Sequence, residues 1–214
     1  MKKYIAIAFI LGTLSFACNR QVKPANSNAR PVASAEVKKG VAPVADPEMA
    51  VVEMENPAYG SIKIELYSNI APKMVARFKQ LAQDGYYDGI IYHRVNDNVI
   101  QAGNSDTKPG RSPNPAKEGD SGLPDIEAEF SDVPFDTGIV GAARLGSSVN
   151  SQNAQFFIML KRQAAFDNNY TIFGKVIEGM NNVRTIAGAP RDGEKPTDPI
   201  RIKHISIVPR DQAK

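Results

Sequence analysis

The residues best suited to chemistry in this chain are an arginine, two glutamines and a phenylalanine, all set in short motifs. Arg94 lies in YHRV, Gln101 opens QAG, and Gln155 and Phe157 belong to QFFI; the motifs FGKV and EGM follow within residues 173–180. An arginine stays protonated and presents rigid planar N–H donors, while glutamine amides both donate and accept hydrogen bonds. These residue types offer hydrogen bonding and apolar contact, with no nucleophile among them.

Composition excludes several other classes of site. Cys18 is the only cysteine and the chain has two histidines, so a site built from cysteine or histidine ligands is not expected. No Ser-His-Asp arrangement, glycine-rich phosphate loop or metal-ligand spacing is present, and we expect neither a metal nor a cofactor. Residues 47–214 hold 19 Lys and Arg against 21 Asp and Glu. Because nucleic-acid-binding domains are normally basic, we expect no nucleic-acid partner.

Taken together and in this order, the motifs resemble those of the cyclophilin family of peptidyl-prolyl cis–trans isomerases. The resemblance runs from about residue 50 to 208 and includes the segments APK at 71–73 and GYYDG at 85–89. It implies a mainly β fold, a closed eight-stranded antiparallel β-barrel capped by two α-helices. It also implies an isomerase that rotates X–Pro bonds without a covalent intermediate.

The resemblance gives a role to each matching residue. Arg94 matches the catalytic arginine, and Gln101 matches the glutamine that holds this arginine and the substrate backbone. Phe157 matches the floor of the proline pocket, whereas its strand neighbour Phe156 is expected to face the other way. The other residues implied to bind the substrate are Val99, Ala143, Arg144, Gln155, Phe166 and Tyr170.

The physics of X–Pro rotation explains why an arginine suits this reaction. The barrier is roughly 18–20 kcal/mol because planarity carries the amide resonance. In the twisted transition state the imide nitrogen regains a lone pair, so a donor fixed near it binds the transition state better than either planar form. One charge-assisted hydrogen bond is worth about 1.5–3 kcal/mol, or roughly 10–150-fold in rate.

The surrounding sequence predicts the elements that would position these residues. Residues 61–67 alternate apolar and polar side chains, which predicts a strand. Pro72 opens a helix with one apolar stripe. Residues 200–208 change apolar phase, which predicts a β-bulge near His204. Roughly eight strands and two helices are predicted in one domain over residues 47–214, as the closed barrel requires.

The N-terminus has the pattern of an export signal. Lys2 and Lys3 precede an apolar run over residues 4–16, which is shorter than the ~20 residues of a membrane-spanning helix. We therefore expect a signal peptide at residues 1–17. Small residues before Cys18 resemble a bacterial lipobox, in which the cysteine carries the lipid. An ordinary secretory signal with a chance cysteine is the alternative.

Residues 18–46 are expected to form a disordered tether that starts at the lipid-bearing cysteine. The segment after Cys18 has no aromatic residue and contains three prolines. Together with the signal peptide, it predicts an exported protein of the cell envelope, anchored in a membrane and facing the periplasm or the outside.

Three functions remain open from the sequence. The leading hypothesis is a monomeric isomerase that acts on flexible proline-containing polypeptides and assists the folding of exported proteins. The second is a module that binds proline peptides, or a chaperone-like lipoprotein, with little or no turnover. The third is an envelope lipoprotein in which the barrel is only a scaffold.

Overall fold

A computed structural model describes residues 35–111 and 121–212. The predicted signal peptide, Cys18 and the first part of the predicted tether lie outside the described residues. No helix among those described is long and apolar enough to cross a membrane.

Within these two ranges the chain forms twelve strands and two α-helices. The strands are β1 (Val37–Lys38), β2 (Glu48–Met54), β3 (Ser61–Leu66), β4 (Arg94–Val95), β5 (Val99–Ala102), β6 (Phe130–Ser131), β7 (Ile139–Ala142), β8 (Phe156–Met159), β9 (Ile172–Glu178), β10 (Arg191–Asp192), β11 (Lys195–Pro196) and β12 (Ile202–Pro209). The helices are α1 (Pro72–Gln83) and α2 (Met180–Ala187).

Eight of the strands form one antiparallel sheet in the order β12-β2-β3-β9-β7-β8-β5-β4. The sheet is an open, strongly curled half-barrel, so the predicted closed barrel is wrong. The edge strand β4 has only two residues, and an isolated bridge between Ile91 and Arg201 spans the side between β4 and β12. The predicted bulge in β12 is confirmed, because its register on β2 shifts between Ile202 and His204.

Both helices bury the apolar stripes that the sequence predicts. The buried residues of α1 are Met74, Val75, Phe78, Leu81 and Ala82. The N–H groups of Lys73 and Met74 in its first turn donate to the carboxylate of Glu129, at 3.1 and 2.9 Å, which places an anion at the positive end of the helix dipole. α2 buries Val183 and Ile186, and both helices pack with one face of the sheet in the main core.

Residues 35–46, which we call the N-terminal strap, lie along the domain instead of forming part of a disordered tether. β1 pairs in parallel with β6, and the ammonium group of Lys38 donates to the carbonyl oxygen of Ile70 at 2.8 Å. The N–H of Gly40 donates to the carboxylate of Asp132 at 2.7 Å. The ordered part of the domain therefore includes residues 35–46, which the predicted boundary at residue 47 left out, because hydrogen bonds to distant groups order a segment with little apolar surface of its own.

Candidate active site

A row of paired residues across four strands forms the centre of the site. Arg94 pairs with Gln101 between β4 and β5, Gln101 pairs with Phe157 between β5 and β8, and Phe157 pairs with Gly141 between β8 and β7. Residues directly opposite each other on neighbouring strands point to the same face of a sheet. The sheet therefore brings the side chains of Arg94, Gln101 and Phe157 to one face, although 63 positions separate the first from the last.

Two glycines make room in and beside this row, Gly141 for an aromatic ring and Gly103 for the neighbouring main chain. A Cβ atom at Gly141 would lie 2.4 Å from the ring of Phe157. A Cβ atom at Gly103 would lie 2.5 Å from the carbonyl oxygen of Ala154, and both distances are shorter than real Cβ atoms show. The QAG motif therefore ends in glycine because β5 passes close to the chain just before Gln155.

Phe157 lies in an aromatic cluster that we define as Phe135, Phe157, Phe166 and Tyr170. The ring centroid of Phe157 lies 5.7 Å from that of Phe166 and 5.6 Å from that of Tyr170, and those two rings lie 4.8 Å apart. Val99 is buried in the same apolar cluster. Since Phe166 and Tyr170 are half-buried, the cluster is an apolar floor with a rim open to solvent.

The guanidinium of Arg94 is held by a carboxylate that the sequence analysis did not identify. Glu194, in the turn of the β10–β11 hairpin, accepts hydrogen bonds from Nε of Arg94 at 2.5 Å and from its Nη2 at 3.2 Å. The side chain of Asn96 donates to the same carboxylate at 2.6 Å. The hydrogen bond from Arg94, and next that from Asn96, lowers the pKa of Glu194, and the same ion pair raises the pKa of Arg94.

Gln101 does not have the contact that the resemblance implied. Its amide Nε2 donates to Oε1 of Gln155 at 2.9 Å, while Arg94 is bound by Glu194. Gln101 lies on β5 between β4 and β8, and its amide bonds to Gln155, whereas the guanidinium of Arg94 on the edge strand bonds to the β10–β11 hairpin. The paired amides therefore lie beside the aromatic cluster and Arg94 lies at the edge of the site.

The segment after β7 borders the aromatic cluster. The N–H of Ala143 donates to the carbonyl oxygen of Gln155 at 2.9 Å, and Ala143 packs against the cluster. The guanidinium carbon of Arg144 lies 4.7 Å from the ring centroid of Tyr170, and its Nε donates to the carbonyl oxygen of Asn169 at 3.2 Å. The structure thus joins all nine residues named from the resemblance by strand pairing or contact around the aromatic cluster.

Glu194, Asn96 and Phe135 are the residues of this site that the sequence analysis missed. The only local signal near Glu194 was the Asp-Gly pair before it, which is typical of a turn. Nothing in the sequence connects that turn to Arg94, 100 positions earlier. Among the residues that the structure describes, no group of three or more His, Cys, Asp or Glu side chains could hold a metal ion.

Comparison with known families gives one model that matches most of the domain. Residues 50–207 match the family "Cyclophilin type peptidyl-prolyl cis-trans isomerase/CLD". A Brucella suis protein named "Probable peptidyl-prolyl cis-trans isomerase" is 38% identical over 152 residues, which cover 68% of this chain and 74% of that protein. A peptidyl-prolyl cis–trans isomerase of Schizosaccharomyces pombe is 35% identical over 155 residues, covering 72% of this chain and 96% of the relative.

Solved structures share the fold as well as the sequence. A cyclophilin-type isomerase of Cryptosporidium parvum, crystallised in the presence of the dipeptide Ala-Pro, superposes with a TM-score of 0.66 at 29% identity and covers 74% of this chain and 98% of its own. The family model, the relatives and the fold agree, and they support the isomerase among the three functions that the sequence left open. The chain belongs to the cyclophilin family and is a peptidyl-prolyl cis–trans isomerase.

Proposed function

We propose that Arg94 is the hydrogen-bond donor that lowers the barrier to X–Pro rotation in this enzyme. The observation that carries the proposal is the row of Arg94, Gln101 and Phe157 on one face of the sheet. It puts a permanent cation at one end of the row and the apolar aromatic cluster at the other. A proline ring on that cluster would direct its imide nitrogen towards the cation, where the transition state gains a hydrogen bond that the planar amide lacks.

The residues around this row have separate tasks in the proposal. The proline ring packs on Phe157, with Val99, Phe166 and Tyr170 enclosing it. The paired amides of Gln101 and Gln155 retain hydrogen-bonding capacity for a peptide backbone. The chain at Ala143 and Arg144 borders the peptide along the groove. No proton moves and no covalent bond forms in this mechanism, because rotation requires only that the twisted amide be stabilised.

Replacement of Arg94 by alanine tests the proposal. We expect kcat/KM for a short X–Pro peptide to fall at least tenfold, since about 1.4 kcal/mol of transition-state stabilisation corresponds to that factor. Arg184→Ala is the matched control, because this exposed arginine on α2 has a side-chain contact with Asn181. Thermal unfolding of both variants establishes that they are folded. Unchanged turnover in folded Arg94→Ala would refute the role of Arg94.

We propose further that this isomerase is exported and anchored to a membrane through a lipid on Cys18, where it assists the folding of envelope proteins as a monomer. The support is sequence alone: Lys2 and Lys3, the apolar run over residues 4–16, and the small residues before a lone cysteine. Lipidation adds about 0.8 kcal/mol of membrane affinity for each buried methylene group. The substrates would be flexible, proline-containing polypeptides.

Substitution of Cys18 by serine separates the lipid anchor from an ordinary secretory signal. We expect the folded variant to leave the membrane fraction for the soluble fraction, while its isomerase activity on a short peptide stays the same. Metabolic labelling with a radioactive fatty acid supplies the direct measurement. A folded and processed variant that stays with membranes, or a native chain that takes up no label, would contradict the anchor.

A further inference from the structure

The ion pair between Arg94 and Glu194 has a geometry that restricts the guanidinium. Glu194 accepts from Nε and from Nη2 of Arg94, so it engages one side of the planar group at two points. An arginine has five N–H bonds, and this arrangement leaves those of Nη1 and one of Nη2 for other partners. Both side chains are about half exposed, at 46% and 49%, so without Glu194 the arginine would have many rotamers available.

The position of Glu194 is itself fixed by contacts on both sides. Its main-chain carbonyl oxygen accepts from the N–H of Val95 at 2.7 Å, and Asn96 binds its carboxylate. A second ion pair joins the β10–β11 hairpin to the turn between β4 and β5. In it, Nη2 of Arg191 donates to a carboxylate oxygen of Asp97 at 2.7 Å. Two ion pairs of opposite polarity thus join the β10–β11 hairpin to β4 and to the turn after it, which fixes the carboxylate relative to the strand that carries Arg94.

We propose that Glu194 is a positioning residue for Arg94, and that it orients the guanidinium before the peptide arrives. The inference rests on the proposed function of Arg94 as the transition-state donor. A donor acts on a transition state only when its position is already set, because misplacement by about 1 Å costs up to 10²-fold in rate. Asn96 shares the task, since it binds the carboxylate and its own Oδ1 accepts from the N–H groups of Asn98 and Val99.

A carboxylate beside the proposed catalytic cation has two opposing effects on the reaction. The sign of the change in kcat/KM when Glu194 is removed distinguishes them. Glu194 reduces the positive potential of the guanidinium, which weakens its hydrogen bond to the imide nitrogen. It also removes the need to order a flexible side chain during the reaction. Water screens the first effect at this half-exposed site. The second effect is larger there, because an exposed arginine has more rotamers to lose and Glu194 holds it by two hydrogen bonds. We therefore expect the positioning effect to dominate.

A double-mutant cycle on the full domain tests the proposal. We expect Glu194→Ala to lower kcat/KM about three- to tenfold, mostly through kcat, with KM changed by less than twofold. Glu194→Gln keeps one acceptor oxygen and should recover part of the loss. In the Arg94→Ala background, Glu194→Ala should change nothing further, because a positioning residue has no effect once its target is gone.

The control is Glu53→Ala. The side chain of Glu53 is 50% exposed and pairs with Lys203 at 3.5 Å, on strands away from the site. The kcat/KM of this control variant should match that of the native enzyme. Native or faster turnover in Glu194→Ala would overturn the inference, as would an equal loss in the presence and absence of Arg94. If Arg94→Ala itself had native activity, the proposed function would fail first, so the two failures are distinguishable.

Discussion

Phe156 and Phe157 are neighbours in β8 and lie in two different parts of the molecule. Phe156 is fully buried in the main core, where its ring centroid lies 5.5 Å from that of Phe78 and 5.6 Å from that of Tyr87. Phe157 lies on the other face of the sheet, in the aromatic cluster. This confirms the expectation that the two rings face opposite ways.

The difference lies in what surrounds each ring. Phe156 contacts only the inside of the fold, and the helix α1 covers it with Phe78. Phe157 is almost as buried, at 3% exposed, but its neighbours Phe166 and Tyr170 are only partly buried, and Arg144 lies over the ring of Tyr170. In the proposed function, one face of the sheet provides stability and the other binds the peptide, so substitutions at the two rings should separate these roles.

Phe156→Ala should have the largest effect on the free energy of unfolding. Removing a fully buried phenylalanine from a core costs about 3–5 kcal/mol, because the surrounding helix and strands cannot collapse into the space. Denaturant unfolding measures this loss directly. The fraction that remains folded should keep its native affinity for a proline peptide; a change in affinity with little loss of stability would contradict the division of roles.

Phe157→Ala is the matched variant for the binding face. We expect kcat/KM for an X–Pro peptide to fall at least tenfold, since the proline loses about 1.5–3 kcal/mol of apolar contact. Its unfolding free energy should drop less than that of Phe156→Ala, because the cluster borders solvent. Peptide titration by calorimetry and urea unfolding on the same protein give both values. A larger stability loss than for Phe156→Ala would show that the cluster is part of the core.

Asp46→Asn tests whether the N-terminal strap supports the side of the fold next to the aromatic cluster. Asp46 accepts from the hydroxyl of Ser68 at 2.6 Å and from the ammonium of Lys79 at 2.8 Å. Burial alone would raise the pKa of this carboxyl, but the hydrogen bonds from Lys79 and Ser68 outweigh it and the pKa is lowered. We expect the variant to be about 1–2 kcal/mol less stable at pH 7.

The pH dependence of this difference follows from the lowered pKa. A carboxyl with a lower pKa in the folded state stabilises the fold above its unfolded value, roughly pH 4, and this stability is lost as the pH falls through the folded pKa. The difference in unfolding free energy between the native protein and Asp46→Asn should therefore become smaller below about pH 4. The exposed Asp198→Asn serves as the control, and a gap that is constant between pH 7 and pH 3 would argue against the charge of Asp46 as its cause.

Arg144→Ala should have the smallest effect, at the rim of the aromatic cluster. The cation–π contact with Tyr170 is internal to the protein and worth about 0.5–1 kcal/mol at an exposed site. We expect the free energy of unfolding to fall by no more than that, and peptide affinity to fall at most two- to fivefold because Tyr170 loses a contact that holds its ring. Arg144→Lys should recover only part of the affinity, because an ammonium lacks the flat surface that stacks on the ring. A fall of more than tenfold would make Arg144 a principal contact of the peptide.

Several elements could be predicted because their signals are local. The α1 stripe and the alternation of β3 follow from residues three, four or two positions apart, and the bulge at His204 follows from a change of phase within one strand. The cluster of short motifs indicated the family and with it Arg94, Gln101 and Phe157. Each of these features depends on residues that are close in sequence or match a known pattern.

Other features depend on contacts between distant segments, and tertiary structure alone decides them. A two-residue strand such as β1 is too short to show an alternating pattern of apolar and polar residues, and its partner β6 lies 93 positions later. The open edge between β4 and β12 depends on the curl of the whole sheet. Glu194 is one of many exposed acidic residues in the sequence; it becomes part of the site only because the fold places its hairpin against Arg94, 100 positions away. The sequence by itself determined the chemistry available in the groove, and the fold decided which carboxylate holds the arginine, since that choice depends on distances that no local pattern encodes.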